Sequence, residues 1–166
     1  MSLQDAIKAN ALTRDRLRTV IGKMNDAELA RDLGEGWTVA TLLAHLAFYD
    51  LRAVALLDQW RRAGEVTESP LDANTLNRAA LPLLRAIPLR AAAELALSAA
   101  EAADSRVAEL ELEPDLLEKI EALQPSINLN RGEHRQNHLH QLEQVTVTAA
   151  PAPKLKVRTK MKSAGS

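Results

Sequence analysis

The chain has 166 residues, about one domain's worth, of which 46% are apolar and 26% charged, a globular rather than a disordered balance. It holds no cysteine, so disulfides, thiolate metal ligands and cysteine nucleophiles are excluded, and any thiol in its chemistry must come from outside. The net charge of −1 conceals a split: Lys154, Lys156, Arg158, Lys160 and Lys162 take five of the 21 basic residues, leaving 16 against 22 acids in the body.

In chain order, Ser2 and Asp5 form a capping pair for a first helix that carries Leu3, Ile7, Leu17, Val20, Ile21 and Met24. A polar stretch with a short helical turn at Ala27 to Ala30 leads to Gly34 and Gly36. Thr38 is a good N-cap, and Trp37 and Leu42 are spaced as a hydrophobic staple around it. The helix so started should run from Val39 to about Ala63 and stop at Gly64. Pro70, Pro82 and Pro88 break any long helix between Val66 and Pro88, which predicts a loop with one or two short helical turns.

A third long helix is predicted from about Leu89 to Glu111, with Ala92, Leu95, Ala99, Ala102, Val107 and Leu110 as its inner stripe. Pro114 suits the first turn of a short helix to Leu123, and a last helix covers roughly Ile127 to Val147 before Pro151 and Pro153. No segment alternates with the period of a strand. The expectation is an all-α four-helix bundle over residues 1–149, with a long middle connection and short extra helices, and a flexible basic tail over 150–166. A tail of this kind is either a solvated terminus or a contact for an anionic partner; the acidic body argues against a DNA-binding domain. No run approaches the roughly 18 apolar residues of a membrane span, and the N-terminus lacks a secretory pattern, so a cytoplasmic location is expected.

All four histidines fall in two predicted helices: His45 in the second, and His134, His138 and His140 in the last. His134 and His138 are four residues apart and share a face that continues through Leu142 and Val145; His140 should point to solvent. His45 lies within Leu42-Leu43-Ala44-His45-Leu46 and so faces inward. Three inward imidazoles need partners for their ring nitrogens, and one metal ion would satisfy them together, with Asp50 and Glu143 as candidate acceptors for the outer N–H groups. The alternative is that each histidine is hydrogen-bonded or solvated on its own.

Gly36-Trp37-Thr38-Val39-Ala40-Thr41-Leu42-Leu43-Ala44-His45-Leu46-Ala47 resembles the Trp-Ser/Thr-Val…Leu…His-Leu helix start of the DinB-like superfamily. Glu133 to Glu143, with His134, His138 and Gln141-Leu142, resembles that family's closing His-x-x-x-His-x-x-Gln-Ile segment. The roughly ninety residues between the two blocks also suit the family, whereas Val66 to Leu123 matches poorly. The resemblance implies a four-helix bundle in which His45, His134 and His138 hold one divalent metal, often zinc or nickel, with iron or manganese as alternatives. It also implies kinship with mycothiol-dependent maleylpyruvate isomerases, bacillithiol transferases and hydrolases.

Three protein ligands leave a divalent ion an open position, the arrangement of catalytic zinc. Such an ion can lower the pKa of a bound water or take up an incoming thiol. The expected activity is transfer of an external low-molecular-weight thiol to a small electrophile, or hydrolysis of that electrophile, in stress or detoxification. Trp37 and Tyr49 are candidate pocket-lining residues, each with simple packing as the other reading. Arg131 and Arg135 flank the histidine pair and either hold a substrate carboxylate or form a solvated face. The expected partner is a small molecule, with no nucleic acid and no membrane. A second copy of the chain is a further candidate partner, because the Ala-rich surface from Ala91 to Ala103 permits close packing between subunits. The alternative to an enzyme is a non-catalytic metal-binding or dimerising helical bundle.

Overall fold

In the computed structural model, which describes residues 1–148, the Asp5 N–H donates to Ser2 Oγ and the Ser2 N–H to Asp5 Oδ2. This full capping box opens α1 (Leu3–Gly22). The basic tail and the expectation attached to it lie outside the described residues. A second box, Asn25 with Glu28, starts the single turn α2 (Asp26–Leu29).

The following segment departs from the all-helical expectation in one detail. β1 (Asp32–Gly34) and β2 (Trp37–Thr38) pair antiparallel around a turn in which Gly34, Glu35 and Gly36 all have positive φ. Strands of three and two residues are too short to display a period of two, so the glycine pair was their only trace in the sequence. The hairpin places Thr38 as the N-cap of α3 (Val39–Ala63), where its hydroxyl accepts from the Thr41 N–H. Gly64, in the left-handed conformation, ends that helix as the sequence predicts.

The stretch predicted as loop contains α4 (Ala73–Arg85), which runs through Pro82. Asp72 caps it by accepting from the Asn74 and Thr75 N–H groups, and Leu84 is buried, with Ala80 packed against the same core. Proline removes one hydrogen bond at Pro82, and that loss falls in the last turn, where burial of Leu84 offsets it. α5 (Leu89–Ala108) follows Pro88 and passes into a 3₁₀ turn, Glu109–Leu112, so the third long helix is shorter than predicted. α6 (Pro114–Leu123) has proline in its first turn, as expected. α7 (Arg131–Thr148) begins later than Ile127, and its start is held by Asn10, which accepts from the Gly132 N–H and donates to the Leu129 carbonyl.

The described residues are 77% helix and 3% strand, an all-α architecture. α3 packs on α5, and α1 packs on both α5 and α7. The buried stripe of α5 is Ala92, Ala96, Ala99, Ala103 and Val107; Leu95 and Ala102, expected inside, lie at its half-buried edge. One core gathers Leu17, Leu43, Leu46, Leu139 and Leu142, and a second, around Trp60, gathers Leu57, Val107, Leu110 and Ile120. By length and composition alone, α3 is apolar enough to cross a membrane, contrary to the sequence reading. Most of its apolar window is buried inside the fold, where it serves as the central core helix.

α7 approaches α1 so closely that a Cβ at Gly132 would lie 2.7 Å from the Ala9 carbonyl oxygen and 2.9 Å from Thr13 Oγ1. The carbonyl is helix backbone and cannot yield cheaply. Gly132→Ala should therefore destabilise the protein by about 1–3 kcal/mol, read as a lower urea midpoint with an unchanged slope.

Candidate metal centre

His45 comes from the first half of α3, and His134 and His138 from successive turns of α7. Their rings form a near-equilateral triangle, with centroid separations of 5.2, 5.3 and 5.2 Å. One ring nitrogen from each lies within 4.8 Å of the other two, and His45 Nε2 and His134 Nε2 are 3.2 Å apart. For comparison, two nitrogens bound tetrahedrally to one ion at about 2.0–2.1 Å sit roughly 3.3 Å from each other. The three imidazoles thus lie close enough together to hold one metal ion.

Electrostatics favours the same use. Burial, then the neighbouring His138, pushes His45 down to about 4. Burial, followed by His45, His138, Arg131 and Arg135, pushes His134 down to about 3. Both rings are therefore neutral at pH 7, the form that coordinates a cation. His138 Nδ1 donates to Gln141 Oε1 at 3.0 Å, a contact that orients its ring.

Gln141 thus plays the part that the sequence reading gave to Asp50 and Glu143. Asp50 is engaged by Arg131 and Arg135, and Glu143 accepts from Arg16 at 2.7 Å. Spacing alone could have found Gln141, since three residues after His138 is the next position on the same helix face. His140 is exposed, within 3.2 Å of the Gln136 amide, and belongs to the outer surface as expected.

The three histidines form part of the wall of a cavity of about 560 Å³. Trp37 and Tyr49 both line it. Trp37 meets His45 edge-on with centroids 5.6 Å apart, and Tyr49 lies 4.9 Å from His45 and 5.1 Å from His134. Both remain packed against the fold, so wall and packing roles coincide in these two side chains. The hairpin adds Leu33 and Glu35, and α4 adds Ala73 and Asn77, whose Oδ1 accepts from the Tyr49 hydroxyl at 2.9 Å. α4 supplies a wall where the sequence predicts a loop.

The two arginines separate. Arg131 lines the cavity, whereas Arg135 does not; it is fully buried within the helices, neither pocket wall nor solvated face. Its Nε donates to Asp50 Oδ2 at 3.0 Å and its Nη2 to Asp104 Oδ1 at 2.8 Å and the Ala100 carbonyl at 3.3 Å. Its Nη1 donates to the Asn10 carbonyl at 3.3 Å. Burial works against the charge of Arg135, but Asp50 and Asp104 outweigh it and hold the guanidinium protonated.

No family model matches this chain, and neither does any curated protein or solved structure.

Asp50 pairs with two buried arginines at once, so Asp50→Ala would leave both without that carboxylate. The substitution should cost about 3–5 kcal/mol. Urea unfolding followed by far-UV circular dichroism measures it, and Asp50→Asn should fall between the variant and the parent.

Proposed function

We propose that this protein is a metal-dependent enzyme of the DinB-like type, a four-helix bundle of α1, α3, α5 and α7. In this reading His45, His134 and His138 hold one divalent cation, zinc or nickel before iron or manganese. The reaction is transfer of a low-molecular-weight thiol to a small electrophile, or hydrolysis of that electrophile. The observation that carries the reading is the placement of three imidazoles, from two helices, on the wall of a cavity large enough for a small molecule. A structural metal would be closed off by a fourth side chain, and among the described residues no fourth histidine or carboxylate joins this group.

A divalent cation held there supplies Lewis acidity, which eases removal of a proton from water or from an external thiol. The residues of the chain do the rest. Gln141 fixes the tautomer and direction of His138. Trp37 and Tyr49 exclude water from one side of the histidine cluster and offer flat apolar surfaces to a substrate. Burial raises the Tyr49 hydroxyl above its ordinary value, against a smaller opposing effect of Arg52, so it remains a protonated donor at neutral pH. With no cysteine in the chain, a thiol in this reaction is a co-substrate.

Metal analysis by plasma mass spectrometry on untagged protein should find close to one equivalent. A His134→Ala/His138→Ala double variant should lose that metal while keeping its helical spectrum. A parent protein that stays metal-free after incubation with zinc, nickel, iron and manganese would remove the catalytic reading. Gln141→Leu tests the supporting contact more gently: the metal should still bind, with affinity reduced about 10–100-fold, in a competitive chelator titration.

A further inference from the structure

Four buried charged side chains, Asp50, Asp104, Arg131 and Arg135, form with Arg14 a chain of alternating sign. Asp50 is shared between Arg131 and Arg135, with Arg131 Nε donating to Asp50 Oδ1 at 3.0 Å. Asp104 is shared in turn between Arg135 and Arg14, the last contact being 3.2 Å. The order is Arg131, Asp50, Arg135, Asp104, Arg14, so three cations face two anions. At the Arg14 end the side chain is about a quarter exposed and solvent can screen the excess charge. At the other end Arg131 is 7% exposed, and its side chain belongs to the cavity wall one turn before His134.

Arg131 is also incompletely used. Its Nη1 donates to the Asn128 carbonyl at 3.3 Å, but its Nη2 is buried and has no hydrogen-bond partner among the described residues. Buried guanidinium N–H groups are nearly always paired, and a planar fork with free donors matches a carboxylate. Among the described residues the only acid on the cavity wall is Glu35, on the exposed turn of the hairpin.

We propose that the cavity takes small organic carboxylates and that Arg131 anchors the carboxylate, completing the alternating chain with the anion it lacks. The proposal rests on the reading of this cavity as the substrate site, and it specifies the charge of what enters. Nη2 is covered, so an arriving carboxylate reaches it through a small side-chain shift in the wall, a common adjustment on binding. The apolar remainder of the ligand would lie against Trp37, Leu42 and Tyr49.

The probes are benzoate and benzamide, which share a ring and a size and differ in charge. Both are titrated calorimetrically into the full-length protein, once loaded with zinc and once after chelation. The parent should prefer benzoate in both states. Arg131→Lys keeps a cation for Asp50 but loses the fork; it should weaken benzoate roughly tenfold to a hundredfold and leave benzamide binding and zinc content unchanged. Arg131→Met removes the cation outright, while Asp50 keeps Arg135 as its partner, and it should show the same loss. Benzoate binding no better than benzamide, or a preference that survives both variants, would overturn the proposal. Zinc content is read separately: a benzoate preference without zinc uptake sinks the metal reading alone, and zinc uptake without a preference sinks this one alone.

Discussion

The fold depends on one guanidinium. Arg135 extends from α7 into the centre of the molecule and bonds Asn10 of α1, Asp50 of α3, and Ala100 and Asp104 of α5. All four long helices therefore meet at a single side chain. Apolar packing between helices is tolerant of small rotations and slides, since many arrangements bury similar area. Directed bonds to a buried cation are not tolerant, because any shift that breaks one leaves a charge without its partner. The rotation of α7 about its own axis is thereby set.

That rotation decides where the histidines point. His134 precedes Arg135 by one residue and His138 follows it by three, so the helix face that carries the imidazoles is defined relative to the anchored guanidinium. Gly132 and Asn10 add a second constraint one turn earlier, where the backbones of α1 and α7 come too close for a Cβ. His45 is placed by the partner of the same anchor: Asp50 lies five residues further along α3 and turns toward α7. The cluster of imidazoles and the buried ion chain are thus two sides of one contact between α3 and α7.

Much of this was legible in the sequence where the signal was local. The caps at Ser2 and Thr38, the stop at Gly64, the proline start at Pro114 and the two histidine-bearing faces all follow from spacing along a single helix. What stayed hidden depends on partners distant in the chain. Arg135 reads on its own as a surface residue, because charged side chains are rarely buried and nothing local marks Asp50 and Asp104 as its partners. α4 was obscured by Pro82, whose cost is real but falls near the helix end, where burial of Leu84 outweighs it. Glu143 looked like a second support for the histidines and instead pairs with Arg16, a choice made by the register of α1 against α7.

α5, which packs on α3, buries an alanine-rich surface: Ala92, Ala93, Ala96, Ala99, Ala100 and Ala103. Alanine has no rotamers to select, so this surface packs without any of its side chains being frozen and without alternatives to repack. The helix that carries His45 therefore rests on a surface with almost no internal degrees of freedom. The opposite wall of the cavity, built from a short hairpin and a proline-containing helix, is held by far fewer buried groups. Substitutions can accumulate in that second wall without disturbing the first. A scaffold divided in this way can change what it recognises while its reactive groups stay in place.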